Sequence, residues 1–320
     1  MSVALDFENQ VLAIEKKIAE LREASKIGDI DVANEIKKMQ TKVDKMLSQI
    51  YRKLTPWQKV QVARHPERPK FADYLRGMFT DFVELSGDRL FADDQAIVGG
   101  FARFEGHKCI VMGQEKGNDT ESRLKHNFGM PRPEGYRKVL RLMELADRFS
   151  LPVFSFIDTA GAFPGLESEE RGVAESIARC MEKSLKIPTP FVSVIIGEGG
   201  SGGAIAMATS DYVLMLEYAV YSVISPEGCA SILWKDETKA SLAAEVQKLT
   251  ASDLLLLKVI DGIVREPVGG AHRDKAKTVE ALKKELLTYL AKASNSTSET
   301  RLATRRKRFA DIGTQFLAGR

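Results

Sequence analysis

Phe191-Val192-Ser193-Val194-Ile195-Ile196-Gly197-Glu198-Gly199-Gly200-Ser201-Gly202-Gly203 carries an apolar, β-rich run into five glycines and then into a helical pattern ending near Ala208. An earlier stretch repeats the design: Val153-Phe154-Ser155-Phe156-Ile157 leads through Thr159-Ala160-Gly161-Ala162-Phe163-Pro164-Gly165 into a helical pattern from Glu169 to Leu185. A strand that ends in glycines and turns into a helix leaves backbone N–H groups pointing into open space, with the helix dipole behind them. Each loop therefore reads as an anion site. Two of them on neighbouring strands predict a reaction that holds negative charge at two places.

Working outward, further strand patterns cover Ala96 to Phe104, Cys109 to Met112, Tyr212 to Leu216, Val220 to Val223 and Ile263 to Val264. Helical patterns fall at Tyr136 to Phe149, Gly203 to Ala208 and in a long stretch after His272. Strand and helix in alternation predict βαβ units and a largely parallel α/β sheet. In such sheets ligands sit beyond the carboxyl ends of the strands, where both glycine loops fall.

Before the core, Val11, Ile14, Ile18 and Leu21, then Val32, Ile36, Met39, Val43, Met46 and Ile50, alternate spacings of three and four. They predict a helical hairpin with a narrow apolar seam, broken at Gly28-Asp29. That seam needs either its own domain or another subunit to lie against. The small polar stretch Ala293 to Ser298 is expected to end the folded core before a terminal basic helix with Arg301, Arg305, Arg306, Lys307, Arg308 and Arg320, whose charges are ordinarily just solvated. The division expected is a helical extension over 1–65, a catalytic domain over 66–293 and a basic tail over 294–320.

With 320 residues and 44% hydrophobic content the chain can bury a large core, and a net charge of only +3 gives no indication of nucleic-acid binding. Cys109, Cys180 and Cys229 show neither disulfide nor zinc spacing, so no metal is expected on this chain. The start, Met1 to Glu8, lacks the pattern of a signal peptide, and no apolar run approaches the ~20 residues of a membrane span. A cytoplasmic location is the expectation.

The second loop fits several chemistries. Gly197-x-Gly199-x-x-Gly202 matches the dinucleotide fingerprint, with Glu217 twenty positions after Gly197 as a ribose-binding acid. Gly199-Gly200-Ser201-Gly202-Gly203 matches a nucleophile elbow, followed by Asp211 or Asp261 and then His272 in hydrolase order. A P-loop is excluded, because no lysine follows the glycines. The remaining reading has Gly202 and Gly203 present bare N–H groups to an oxyanion, since a side chain would fill the space a reacting carbonyl must enter. For Gly199 and Gly200 a tight strand-to-helix crossing is an equal alternative.

Four longer motifs carry a resemblance: Asn127-Phe128-Gly129-Met130-Pro131-x-Pro133-Glu134-Gly135-Tyr136-Arg137-Lys138, Phe156-Ile157-Asp158-Thr159-x-Gly161-Ala162-x-Pro164-Gly165, Ile196 to Ala204, and Tyr221-Ser222-Val223-Ile224-Ser225-Pro226-Glu227-Gly228-Cys229-Ala230. In this order they resemble the alpha subunits of bacterial-type acetyl-CoA carboxylase carboxyltransferase, from the N-terminal helices to about Leu290. Ala160 departs from the proline many relatives have there, which bears on loop stiffness more than on chemistry. The resemblance implies a crotonase-like (ClpP/crotonase) ββα superhelix core with the helical hairpin as an extension. It implies transfer of a carboxyl group from carboxybiotin on a carrier protein to acetyl-CoA, giving malonyl-CoA for fatty acid biosynthesis.

The resemblance also implies an α2β2 assembly with a zinc-bearing beta subunit, working with a biotin carboxyl carrier protein and biotin carboxylase. The gaps in the chain agree: there is no ATP-binding loop, and Lys45-Met46 follows Asp44 rather than the methionine of a biotinylation signal. Loss of CO2 from carboxybiotin leaves charge on the ureido oxygen, and removal of a methyl proton from acetyl-CoA leaves an enolate, so each needs donors. By resemblance Gly202 and Gly203 serve the biotin oxyanion, and the loop with Gly161, Ala162 and Gly165 shapes the pocket beside Gly199 and Gly200. Lys116, Arg123, Lys125, Arg132, Arg137 and Lys138 supply cations for CoA phosphates, with Arg132 and Arg137 chosen as substrate-binding residues. Glu134 and Glu227, each beside a glycine, are read as helix caps before they are read as bases.

Overall fold

The computed structural model describes residues 5–27 and 32–314. Its centre is one mixed sheet built from β1 (Phe79–Glu84), β2 (Ile97–Phe104), β3 (His107–Gln114), β4 (Val153–Thr159), β5 (Phe191–Gly200), β6 (Tyr212–Leu216), β7 (Val220–Ser222) and β8 (Gly262–Val264). The order is β1-β2-β3-β4-β5-β6-β8, with β7 pairing separately with the far end of β5. β1, β2 and β3 are antiparallel, and from β3 to β8 every pairing is parallel.

The expected strands are present, and their composition explains their places. All seven residues of β4 and the first seven of β5 are buried, as strands covered by helices on both faces require. β2 and β3 are joined by Glu105-Gly106, both with positive φ, the turn whose twist matches a tight hairpin. β1 was not foreseen; its burial lacks a clean alternation, and a register shift after Thr80, with Asp81 at φ 51°, breaks its pattern. The single helix expected from Glu169 to Leu185 is split into Leu166–Glu170 and Val173–Ser184 by Gly172, whose left-handed φ of 77° an α-helix cannot hold.

The main core joins the sheet to helices Pro133–Arg148, Val173–Ser184, Ser201–Ala208 and Lys275–Ser294 through residues such as Phe104, Tyr136, Leu142, Phe156, Ile195 and Leu286. The N-terminal helices Asn9–Ile27 and Ala33–Tyr51 pack on their own molecule: Val11, Ile18, Val43 and Leu47 form one cluster with Val62 and Tyr218. Tyr51 meets Tyr218 edge-on at 5.2 Å, and Arg273 pairs with Glu8 and Glu15. The hairpin break placed at Gly28-Asp29 lies outside the described residues, as does Arg320 of the basic segment.

The basic segment is helical as expected, but its arginines are not simply solvated. It forms the helix Ser298–Asp311, and the Arg305 guanidinium is fully buried against Asp211 (Nε to Oδ1 2.6 Å, Nη2 to Oδ2 2.8 Å), with the carbonyls of Ile187 and Thr189 also accepting from it. Arg301 donates to Pro188 O and Arg308 pairs with Asp261. Carbonyls just before β5 and the Asp211 carboxylate just before β6 turn Arg301 and Arg305 inward, a signal that charge counting misses.

Candidate functional site

β4 and β5 lie side by side, so their carboxyl ends deliver the two glycine loops to the same edge of the sheet. In the first loop the Thr159 hydroxyl accepts the Gly161 N–H (3.0 Å) and donates to the Gly161 carbonyl (2.8 Å). The Phe163 N–H donates to Pro131 O at 2.9 Å, and Gly165 opens the short helix Leu166–Glu170. In the second loop β5 runs to Gly200 and turns at Ser201, φ 50°, directly into the helix Ser201–Ala208. The N–H groups of Gly202 and Gly203 thus fall in a first helical turn, which supplies no carbonyl partners of its own.

The loops touch through bare backbone. A Cβ on Gly200 would stand 2.2 Å from Ala160 O, and one on Gly203 would stand 2.8 Å from the Gly161 carbonyl carbon and 3.0 Å from Ala162 N. Those two glycines are required by close approach. A Cβ on Gly199 would meet the Tyr221 ring at 2.9 Å, whereas one on Gly202 would meet only the Ile177 side chain, at 3.1 Å. Gly202 is therefore the glycine of this loop whose space packing claims least.

This arrangement is held by side chains that the sequence did not single out, Gln114, Arg64 and Glu198 among them, and by Lys116, which was expected at CoA phosphates instead. Gln114, fully buried at the end of β3, donates from Nε2 to Gly203 O (2.8 Å) and accepts the Asp158 N–H on Oε1 (3.0 Å), so one amide bridges both loops. The Asp158 carboxylate accepts the Glu198 N–H (2.9 Å) and pairs with Lys116 (2.7 Å), which also reaches Glu198 (3.1 Å). Arg64 pairs with Glu198 (2.7 Å) and with Glu227 (2.5 Å). Burial alone would raise the Glu198 pKa, but Lys116 and Arg64 overcome it and hold the carboxyl down at about 2. The only sequence signal was a run of polar residues, Gln114-Glu115-Lys116, closing an apolar strand.

The cations chosen from sequence divide into two groups. Arg137 bridges Asp88 (2.7 Å), Glu134 (3.0 Å) and Arg171 O (3.0 Å), and Lys138 is buried against Asp93 and two carbonyls. Arg123 and Lys125 carry no carboxylate partner among the described contacts, and Arg132 meets the Asp94 carboxylate through its backbone N–H (2.6 Å) rather than through an ion pair of its guanidinium. The Arg132 guanidinium lies 4.5 Å over the Phe163 ring of the first loop, and its buried Nε has no hydrogen-bond partner. Glu134 and Glu227 are both engaged by arginines, so neither stands as a free base.

The competing chemistries find no geometry here. His272 stacks on His65 at 3.9 Å, while Asp261 accepts the Val213 N–H and pairs with Arg308. Among the described contacts neither bonds to Ser201, so the elbow has its strained serine without a base. Glu217 pairs with Arg265 and accepts the Glu266 N–H. Among the described residues no group of three or more His, Cys, Asp or Glu side chains is placed to hold a metal, and no helix is long and apolar enough to cross a membrane.

Comparison with known proteins agrees with this geometry. The chain is 58% identical over 309 residues, 97% of its length and 98% of the relative's, to the acetyl-coenzyme A carboxylase carboxyl transferase subunit alpha of Zymomonas mobilis subsp. mobilis. It is 62% identical over 270 residues, 84% of its length and 85% of the relative's, to that of Chelativorans sp.. Its fold resembles the transcarboxylase 12S structure with methylmalonyl-coenzyme A and methylmalonic acid bound (TM-score 0.59, 14% identity, 74% of this chain and 44% of that one). It also resembles a chain of the Pseudomonas malonate decarboxylase MdcD-MdcE hetero-dimer (TM-score 0.55, 12% identity, 70% and 90%). With residues 4–313 matching the family model "Acetyl co-enzyme A carboxylase carboxyltransferase-like", the chain belongs to the acetyl-CoA carboxylase carboxyltransferase alpha family.

Proposed function

We propose that this chain transfers a carboxyl group from carboxybiotin, presented by a carrier protein, to acetyl-CoA, forming malonyl-CoA in the first committed step of fatty acid biosynthesis. The observation that carries the reading is the backbone contact between two glycine loops at the carboxyl ends of adjacent strands, in a member of this family. Carboxybiotin supplies the carboxyl group. Gly202 and Gly203 offer N–H groups to charge that develops as the group moves, and donors fixed in advance act without reorganisation. Gly161, Ala162 and Gly165 shape the pocket, Gly199 and Gly200 allow the loops to close on each other, and Arg132 faces substrate from the Phe163 ring. Arg137 acts in this reading through the network that braces Arg171 and Glu134.

The finer assignments belong to the same proposal: a crotonase-like ββα superhelix over 66–293, a helical extension over 1–65 and the basic segment from 294. The α2β2 assembly with a zinc-bearing beta subunit, served by carrier protein and biotin carboxylase in the cytoplasm, is supported by the apolar surface beside Gly202. There Ile205 and Val223 are exposed, and a cavity of about 360 Å³ is lined by Ser201, Gly202, Ile205 and Val223. The test is reconstitution: this chain, purified with a zinc-ribbon beta chain, should form malonyl-CoA from acetyl-CoA and a carboxylated carrier. Absence of turnover by the assembled pair would overturn the reading.

A further inference from the structure

A cavity of about 320 Å³ opens between the two glycine loops, touching Ala160 of the first and Glu198 of the second. Four cations line it: Arg64, Lys70, Lys116 and Arg123. Lys116 divides its charge between Asp158 and Glu198, and Arg64 divides its own between Glu198 and Glu227. Lys70 and Arg123 have no carboxylate partner among the described contacts. Lys70 is only 6% exposed, yet no hydrogen bond or ion pair of its ammonium is among those contacts. Asp158 and, less strongly, Glu115 attract it without touching it, but Asp158 is engaged by Lys116 and the Glu198 N–H, and Glu115 by the N–H groups of Ala72 (2.8 Å) and Gly117 (2.8 Å).

An ammonium withdrawn from water with no carboxylate in contact is unfavourable unless an anion completes it. The wall opposite is held in costly backbone: Asn127 and Phe128 both adopt left-handed φ, 47° and 54°, and the half-exposed Phe128 ring lines the cavity. Gly129 follows with its Cα pressed so close that a Cβ would stand 2.7 Å from Lys116 Cγ and 2.8 Å from Asp158 O. The loop thereby braces Lys116 against the cavity floor.

We propose that this cavity is a carboxylate subsite, in which Lys70 and Arg123 bind the carboxyl group that the enzyme moves and Lys116 borders it. The inference rests on the carboxyltransferase reading above and names the residues that hold the group in transit. The phosphates of CoA lie at the far end of the pantetheine arm from the acyl carbon, so cations that share a cavity with Ala160 and Glu198 of the two loops are placed for the acyl end. The carboxylate is borne by malonyl-CoA on one side of the reaction and by the carboxylated carrier on the other.

The test compares Lys70→Met, Arg123→Gln and the double variant in the assembled complex. The reverse reaction, malonyl-CoA with biotin methyl ester, reports on the carboxylate of malonyl-CoA, and the forward reaction reports on acetyl-CoA and on the carboxylated carrier. The expected result is a KM for malonyl-CoA, for the carboxylated carrier or for both that rises about tenfold per variant, the loss of one charge-assisted hydrogen bond, while the KM for acetyl-CoA moves less than about twofold. The carboxylate-bearing substrate whose KM rises identifies the source of the bound group. Lys70→Met should keep or raise the melting temperature, since it removes a buried unpaired charge. Equal rises for acetyl-CoA and malonyl-CoA would make this a phosphate site and overturn the proposal, as would unchanged KM values throughout. Wild-type turnover in the same assays keeps this outcome separate from failure of the carboxyltransferase reading, and Arg123→Gln, at a half-buried position, carries the test if Lys70→Met does not assemble.

Discussion

At the scale of single residues the two candidate donors separate. Gly202→Val adds bulk where only the Ile177 side chain stands nearby, so assembly should survive while carboxyl transfer falls on the order of 100-fold or more. Gly203→Ala instead drives a Cβ into the backbone of Gly161 and Ala162, and both melting temperature and turnover should fall. Comparing rate and melting temperature for the pair checks this; a Gly202→Val complex with near-normal turnover would leave Gly202 as a packing residue. Ser201→Ala keeps a left-handed β-carbon residue at φ 50° and removes only the hydroxyl, so turnover should fall less than roughly tenfold, about one ordinary hydrogen bond. A loss of ~10³-fold, as removal of a nucleophile gives, would revive the hydrolase chemistry.

His272 supplies a pH dependence at the same scale. Burial first, then the neighbouring His65, Arg68 and Arg273, pulls its pKa from 6.5 to about 3. The folded chain holds this ring neutral while the unfolded chain protonates it below 6.5. Stability is therefore complete above pH 6.5 and declines as pH falls toward 3, by at most about 1.4 kcal/mol per pH unit from this group. Denaturant midpoints between pH 7 and 5 should drop, and His272→Asn should show a smaller drop.

Among the elements, the helix Ser298–Asp311 braces the sheet at the amino ends of β5 and β6, the edge opposite the glycine loops. Arg305→Met leaves Asp211 and several carbonyls without their shared guanidinium, so the chain should lose about 3–5 kcal/mol by chemical denaturation. Arg305→Lys should recover only part, because an ammonium cannot replace a planar fork bound to both Asp211 oxygens. Below its melting temperature the Arg305→Met complex should keep near-normal turnover. A large loss of rate without a loss of stability would place this helix in the catalytic machinery.

For the whole molecule, the exposed Ile205 and Val223 beside Gly202 leave the candidate site open to solvent on one side. Stabilisation of developing charge weakens in water, so a half-open site should turn over poorly. The chain alone should show no carboxyl transfer and should gain it only with the beta chain, measured by malonyl-CoA formation across a titration of that chain. Robust turnover by the chain alone would show that the site is complete within it.

Local pattern determined what local chemistry controls. The apolar runs of β4 and β5, the glycines after them and the narrow seam of Val11 to Ile50 are periodicities of adjacent residues, so the parallel sheet, the two loops and the N-terminal helices were legible from sequence. β1 escaped because a register shift breaks its pattern, and the Glu169 to Leu185 helix was overrun because one left-handed glycine is invisible to an apolar period. The tertiary structure alone decided partnership. Gln114 meets Gly203 across 89 positions, Arg64 meets Glu227 across 163 and Arg305 meets Asp211 across 94. Whether a charged or amide side chain faces water, a carbonyl or a carboxylate depends on groups brought together only by folding. For that reason six cations that looked alike in sequence became ion-paired bridges at Lys116, Arg137 and Lys138, and side chains with no ion pair among the described contacts at Arg123, Lys125 and Arg132.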